Sequence, residues 1–195
     1  MMRADDALLG ALRALVSALD ALGKPAMIIG GIAVIARGVP RQTIDIDATV
    51  AAADLDLDEV LATLAARHIT PRIENALAFA RERQVLLLRH DPTGTPLEVS
   101  LAWLPFEMEA LQRATVVDFG GVRIRVATAE DLIVLKAVAW RDRDRGDIER
   151  LLLLHAADVN LDRVRALVGE FASAIDEPER LGEFDALVRR ALGHD

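Results

Sequence analysis

The chain has 195 residues, 52% of them hydrophobic and 28% charged, which suits one sizeable domain or a small catalytic domain with a helical extension. It has no cysteine, which excludes disulfides and cysteine-ligated zinc. The net charge of −8 argues against a broadly basic nucleic-acid-binding surface, so a nucleic-acid substrate would have to be met by locally clustered arginines.

Leu8, Leu12, Leu15, Leu19 and Leu22 recur at three- and four-residue spacing and predict an amphipathic first helix, ended by Gly23 and Pro25. Asp5, Asp6, Arg13 and Asp20 interrupt it, so no apolar run approaches the ~20 residues a membrane span needs. With no signal-peptide cleavage pattern either, the expectation is a soluble cytoplasmic protein with no membrane partner. Residues 26–29 read as a short buried strand, Gly30-Gly31 as a turn, and 32–37 as a short helix broken by Gly38 and Pro40. Residues 43–50 read as a strand in which Ile44 and Ile46 alternate with Asp45 and Asp47.

Residues 55–67 predict a helix capped by Asp54 or Asp56, whereas 71–83 follows no single period. Two strands, 85–89 and 97–103, flank the turn Asp91-Pro92-Thr93-Gly94. Residues 105–113 suit a short helix, and 115–119 with 122–127 suit a hairpin across Gly120-Gly121. From Thr128 the pattern is helical, with Thr128 and Asp131 placed as an N-cap and breaks expected near Gly146, Asp158-Val159-Asn160 and Pro178. The expected fold is α/β: a small mixed sheet with flanking helices over residues 1–127, then a helical part over 128–195.

Asp45 and Asp47 carry the chemistry. On a strand, i and i+2 share a face, so the two carboxylates would stand side by side with Ile44 and Ile46 packed behind them. Neighbouring carboxylates repel, and divalent cations relieve that repulsion while supplying a catalytic tool. Alone, such a pair more often marks the exposed face of an edge strand. Gly30-Gly31, at the end of the preceding strand, adds a place where backbone N–H groups can approach a phosphate.

The order Ile28-Ile29-Gly30-Gly31, then Asp45-Ile46-Asp47, resembles the nucleotidyltransferase superfamily of the DNA polymerase beta type. Arg41 and Thr43, just before the carboxylates, look like the branch of AbiEii-type toxins. A second block, Lys136, Arg141, Arg143, Asp144 and Asp147, is similar to the same branch. The resemblance covers roughly residues 26–155.

It implies transfer of a nucleoside monophosphate from an NTP to a hydroxyl, with Mg²⁺ or Mn²⁺ held by Asp45, Asp47 and a third carboxylate. Glu98 is the candidate for that third position, where many relatives have aspartate; Asp91, in its turn, is the weaker alternative. Gly30 and Gly31 would cradle phosphates, although many relatives have serine in place of Gly31. Arg41, Thr43 and Lys136 would bind the nucleotide, and Arg141, Arg143, Asp144 and Asp147 would support the site. The implied acceptor is RNA (a tRNA 3′ end) or a protein hydroxyl, and the implied setting is a toxin with a cognate antitoxin. Glu98 and Gly31 also keep open a noncatalytic member that binds a nucleotide or a protein.

Helical spacing sets Lys136, Trp140, Arg143 and Asp147 on one stripe if residues 130–148 are one helix. Trp140 then either stacks on a base or packs inside the fold. The four histidines, His68, His90, His155 and His194, show no metal-ligand spacing, and the chain has no Walker loop or nucleophile elbow.

Overall fold

The computed structural model describes residues 4–193. The chain divides into two compact units. One holds the residues up to Ala33 together with Gln42–Ala127, the other Val34–Arg41 and everything from Thr128 onward.

The first unit is built on a seven-stranded mixed sheet, in the order β3-β4-β5-β2-β1-β7-β6. Its strands are β1 (Ala26–Ile29), β2 (Ile46–Ala51), β3 (Ile69–Pro71), β4 (Val85–His90), β5 (Thr95–Ala102), β6 (Thr115–Phe119) and β7 (Val122–Val126). Helix α1 (Ala4–Leu22) lies across β2, β5 and β7 and packs on α3 (Leu57–Ala65). Its leucine stripe explains the docking: Ala11, Leu12, Leu15 and Ala18 are completely buried. Asp56 caps α3 by accepting from the Asp58 N–H. Pro105 opens α5 (Pro105–Arg113), and Glu107 Oε2 accepts from the N–H groups of Trp103 and Leu104. Gly120 and Gly121 both take positive φ in the β6–β7 hairpin. The stretch without a clear period contains two elements, the end of β3 and helix α4 (Ala76–Arg83), each too short to show one.

β1 runs antiparallel to β2 and parallel to β7; β2 runs parallel to β5, which is antiparallel to β4. On β4 and β5 the alternation is clean. Leu86, Leu88, Leu97, Val99 and Leu101 face a closed side, while Leu87, Glu98 and Ser100 face a half-open one. Register pairs Leu87 with Glu98, Glu98 with Asp47, and Asp47 with Ile29, so one row of residues crosses four strands on the half-open side.

The second unit contains α6 (Ala129–Ala139), α7 (Asp142–His155), α8 (Leu161–Ala174) and α9 (Arg180–Leu192). Helix α2 (Gly30–Ala36) begins in the first unit and ends in this one. Thr128 caps α6: its hydroxyl accepts from the Asp131 N–H at 3.1 Å and donates to Asp131 Oδ2 at 2.7 Å. Residues 130–148 are two helices, not one. Trp140 adopts the left-handed conformation at φ 51°, and Arg141 starts α7 with its N–H donating to Asp144 Oδ2. Arg180 secures that break by donating to the Ala137 and Val138 carbonyls with its guanidinium stacked 5.3 Å from the Trp140 ring. Trp140 is therefore a packing residue of this unit, and the proposed stripe through Lys136, Trp140, Arg143 and Asp147 is cut. The break expected at Gly146 is absent, because that glycine lies inside α7, where the neighbouring Asp147 and Ile148 dock the helix.

Phe184 of α9 is completely buried, and α9 contacts α6, α7 and α8. Phe184→Ala is expected to cost about 3–5 kcal/mol, the range for emptying a buried aromatic site. Chemical denaturation would read this as a lower midpoint; a loss below ~1 kcal/mol would mean α9 is not anchored by this side chain.

Candidate active site

Gly30 follows the last residue of β1 and opens α2 with φ +61°. A Cβ placed on it would lie 1.8 Å from Asp47 Oδ2 and 2.8 Å from Asp47 Cβ. The Asp47 carboxylate thus rests directly on the Gly30 backbone, in space that any other residue would fill. Two demands meet at this glycine, a left-handed φ and the absence of a side chain. The register pair Ile29–Asp47 holds the contact in place.

Asp45 lies one residue before β2 and is half-buried, like Asp47. Thr43 Oγ1 donates to Asp45 Oδ1 at 2.7 Å, fixing that carboxylate from its own loop. The strand starts at Ile46, later than the alternation suggested. Ile46 is completely buried behind the pair, but Ile44 is 80% exposed, so only one of the two isoleucines backs the carboxylates. Gly30 and Gly31 are the first two residues of α2 rather than a turn ahead of it.

Glu98 stands beside Asp47 on β5, and parallel pairing sends both side chains to the half-open side. Its Oε1 lies 2.5 Å from Arg72 Nη2. Sequence reasoning missed Arg72, because nothing in the stretch around it marks where the chain turns back on β4. Asp91 is not in this row. It occupies the β4–β5 turn and accepts from Thr70 Oγ1 and Arg89.

The donors in the row are carboxylates, the hard oxygen ligands that suit Mg²⁺ or Mn²⁺. Among the described residues, no three histidine, cysteine, aspartate or glutamate side chains stand close enough to hold an ion by themselves. That does not conflict with magnesium, which is commonly held by one or two carboxylates and completed by substrate phosphates and water. Asp45 and Asp47, with the Gly30 backbone beside Asp47, fit such a role.

The helical unit holds the second block of residues. Lys136 is only 7% exposed, with Nζ 3.0 Å from Asp144 Oδ1 and 2.7 Å from Asp147 Oδ2. Arg41 Nη1 lies 2.5 Å from the same Asp147 oxygen. The two cations stand against two buried carboxylates, the arrangement that makes burial of charge tolerable. Arg141 and Arg143 are exposed and stand outside this quartet. A second cluster joins Arg163 to Glu130 at 2.8 Å and to completely buried Asp131 at 3.1 Å. Burial lowers the Arg37 pKa from its ordinary value, and nearby Asp131 works against that shift.

A mixed sheet with Gly30 packed against Asp47 fits the nucleotidyltransferase fold, and the comparisons agree. Residues 7–188 match the family described as "Nucleotidyltransferase of unknown function (DUF6036)", and the chain belongs to that family. No curated protein matches it. Among solved structures, the antibiotic-resistance factor ANT(2″)-Ia in solution aligns with TM-score 0.57 at 19% identity, over 89% of this chain and 95% of that one. The crystal structure of ANT(2″)-Ia in complex with adenylyl-2″-tobramycin gives 0.55 at 19% identity, over 85% and 96%. A putative nucleotidyltransferase from H. pylori gives 0.50 at 20% identity, over 94% and 86%. At these identities the likeness is one of fold.

Two predictions follow from the packing. Gly30→Ala is expected to destabilise the protein by more than ~1 kcal/mol, since alanine meets both a left-handed φ and the Asp47 carboxylate. In a double-mutant cycle, Asp47→Ala should relieve part of that cost, with a coupling of at least ~0.5 kcal/mol; strict additivity would show that the two residues do not touch. Lys136→Met leaves Asp144 and Asp147 short of a counter-charge inside the helical unit. A loss of about 3–5 kcal/mol in urea unfolding is expected, and a neutral result would show that the quartet is solvated.

Proposed function

We propose that this chain transfers a nucleoside monophosphate from an NTP to a hydroxyl group, using Mg²⁺ or Mn²⁺ held by Asp45 and Asp47. The close approach of the Asp47 carboxylate to Gly30 carries this reading, because an acidic group lies directly against the backbone that opens α2. A bound divalent cation would polarise the phosphoryl group and favour the alkoxide form of the attacking hydroxyl. The protein's own part is placement. Thr43 orients Asp45, Gly30 orients Asp47, and the backbone N–H groups opening α2 offer donors to phosphate oxygens. The sequence resemblance would make Glu98 a third metal ligand and give Arg41, Thr43 and Lys136 a part in nucleotide binding, with Arg141, Arg143, Asp144 and Asp147 in support.

For the acceptor, the sequence resemblance to AbiEii-type toxins favours RNA, such as a tRNA 3′ end, or a protein hydroxyl. The net charge of −8 disfavours a polyanion and favours a protein or a cationic small molecule. ANT(2″)-Ia, whose bound ligand is adenylyl-2″-tobramycin, supplies the small-molecule precedent on this fold. In the toxin setting, expression inhibits growth, Asp45→Asn relieves it, and a cognate antitoxin is the partner. A second reading, a noncatalytic binder of nucleotide or protein, draws support from Lys136, whose ammonium is already matched by Asp144 and Asp147.

The deciding experiment incubates purified protein with Mg²⁺ or Mn²⁺ and each labelled NTP, in turn with total tRNA, with protein and with aminoglycosides. Label is expected on one acceptor class, and Asp45→Asn and Asp47→Asn should each lower transfer by at least ~10²-fold with an unchanged melting curve. Full activity in either variant refutes the metal assignment. Nucleotide binding without transfer to any acceptor favours the noncatalytic reading.

A further inference from the structure

We infer that Arg72 is the counter-ion of Glu98 in the metal-free protein and passes to the phosphates of the incoming nucleotide when Glu98 turns to the metal. The inference rests on the proposed reading of Asp45 and Asp47 as metal ligands.

The sheet register supplies the argument. Pro71 pairs with Leu88, and the Arg72 N–H donates to the Leu87 carbonyl, so Arg72 extends the β3–β4 ladder by one position. Leu87 in turn pairs with Glu98, and Glu98 with Asp47. Arg72, Leu87, Glu98 and Asp47 therefore lie in one row on one side of the sheet. Leu87 is too short and apolar to meet Glu98 with a charge, and the Arg72 side chain reaches over it to place Nη2 2.5 Å from Glu98 Oε1. The pair is half-exposed, with side-chain exposures of 34% for Arg72 and 46% for Glu98, so water and solutes reach it.

Electrostatics gives the pair its use. Asp47 and Glu98 stand side by side on the half-open side of the sheet, with Asp45 two residues before Asp47 in sequence, and Arg72 cancels the Glu98 charge. A divalent cation arriving at Asp45 and Asp47 is a stronger attractor for Glu98 than a half-exposed guanidinium. Once Glu98 leaves, Arg72 stands at the end of the row with its donor fork unfilled, the geometry that recognises phosphate oxygens in two contacts. A nucleoside triphosphate bound to the same metal brings such oxygens with it. Arg72 is thus a positioning residue toward Glu98 without ligand and a binding residue toward the triphosphate with it.

The test uses the full-length protein and Mn²⁺ binding followed by electron paramagnetic resonance, with and without a nonhydrolysable NTP analogue. The variants are Arg72→Gln, Arg72→Lys, Glu98→Gln and the Arg72→Gln/Glu98→Gln double variant, each checked by thermal melting. Without nucleotide, Arg72→Gln is expected to tighten Mn²⁺ binding by about threefold to fivefold, the scale of a partly exposed ion pair. That gain should vanish in the Glu98→Gln background. With Mn²⁺ present, Arg72→Gln should weaken analogue binding by about tenfold, with Arg72→Lys recovering part of it. Wild-type Mn²⁺ binding with no change on Arg72→Gln overturns the inference while leaving the proposed function intact. A gain that persists in the Glu98→Gln background overturns it as well, because Arg72 would then act without Glu98. Wild-type protein that binds neither Mn²⁺ nor nucleotide sinks the proposed function itself, and this inference with it.

Discussion

The contact between Gly30 and Asp47 is the constraint on which the rest of the first unit turns. A carboxylate packed against backbone with no room for a Cβ ties the end of β1 to the start of β2. It requires the Ile29–Asp47 register, and a slip of one residue would turn Asp47 to the closed side and Ile46 to the open one. The same register carries through β2 to β5, which brings Glu98 alongside Asp47. One glycine therefore fixes the local geometry of an acidic row assembled from residues more than fifty positions apart in sequence.

The helical unit is organised by buried charge rather than by a glycine. Arg41, Lys136, Asp144 and Asp147 neutralise one another, and Arg163 answers Glu130 and Asp131. Burying such groups costs desolvation that only mutual pairing offsets, so each cluster fixes the geometry of the elements carrying its members. Arg41 lies in the segment Val34–Arg41, between Gly30-Gly31 and Asp45 in sequence, yet its partner Asp147 is on α7. His155 Nε2, 2.8 Å from the Arg37 carbonyl, anchors the same segment. The segment Val34–Arg41 is thus held within the helical unit.

Much of this was legible in the sequence where one local rule decided the outcome. Pro at the start of α5, Thr128 as a cap and Gly120-Gly121 in a hairpin each follow from a residue's own backbone preference. Of the two aspartates, strand period places only Asp47, since Asp45 lies ahead of β2 and is fixed by Thr43 instead. What escaped was decided at a distance. Period alone continued one helix through Trp140, but Arg180, forty positions on, stabilises the left-handed break. Alternation assigned Ile44 to the core, yet the strand begins two residues later, and only Ile46 meets the sheet interior. Arg72 carried no signal, since its meaning depends on which strand lies beside it.

Asp47 and Glu98 are neighbours in the row but are held by different means, and the difference follows from a single methylene. Asp47 is short, lies against the Gly30 backbone and has few rotamers to explore. Glu98 is one carbon longer, half-exposed and directed toward Arg72 on the far side of Leu87. A carboxylate fixed against backbone thus stands beside one held by a partly exposed ion pair, and the two differ in freedom although one register sets both.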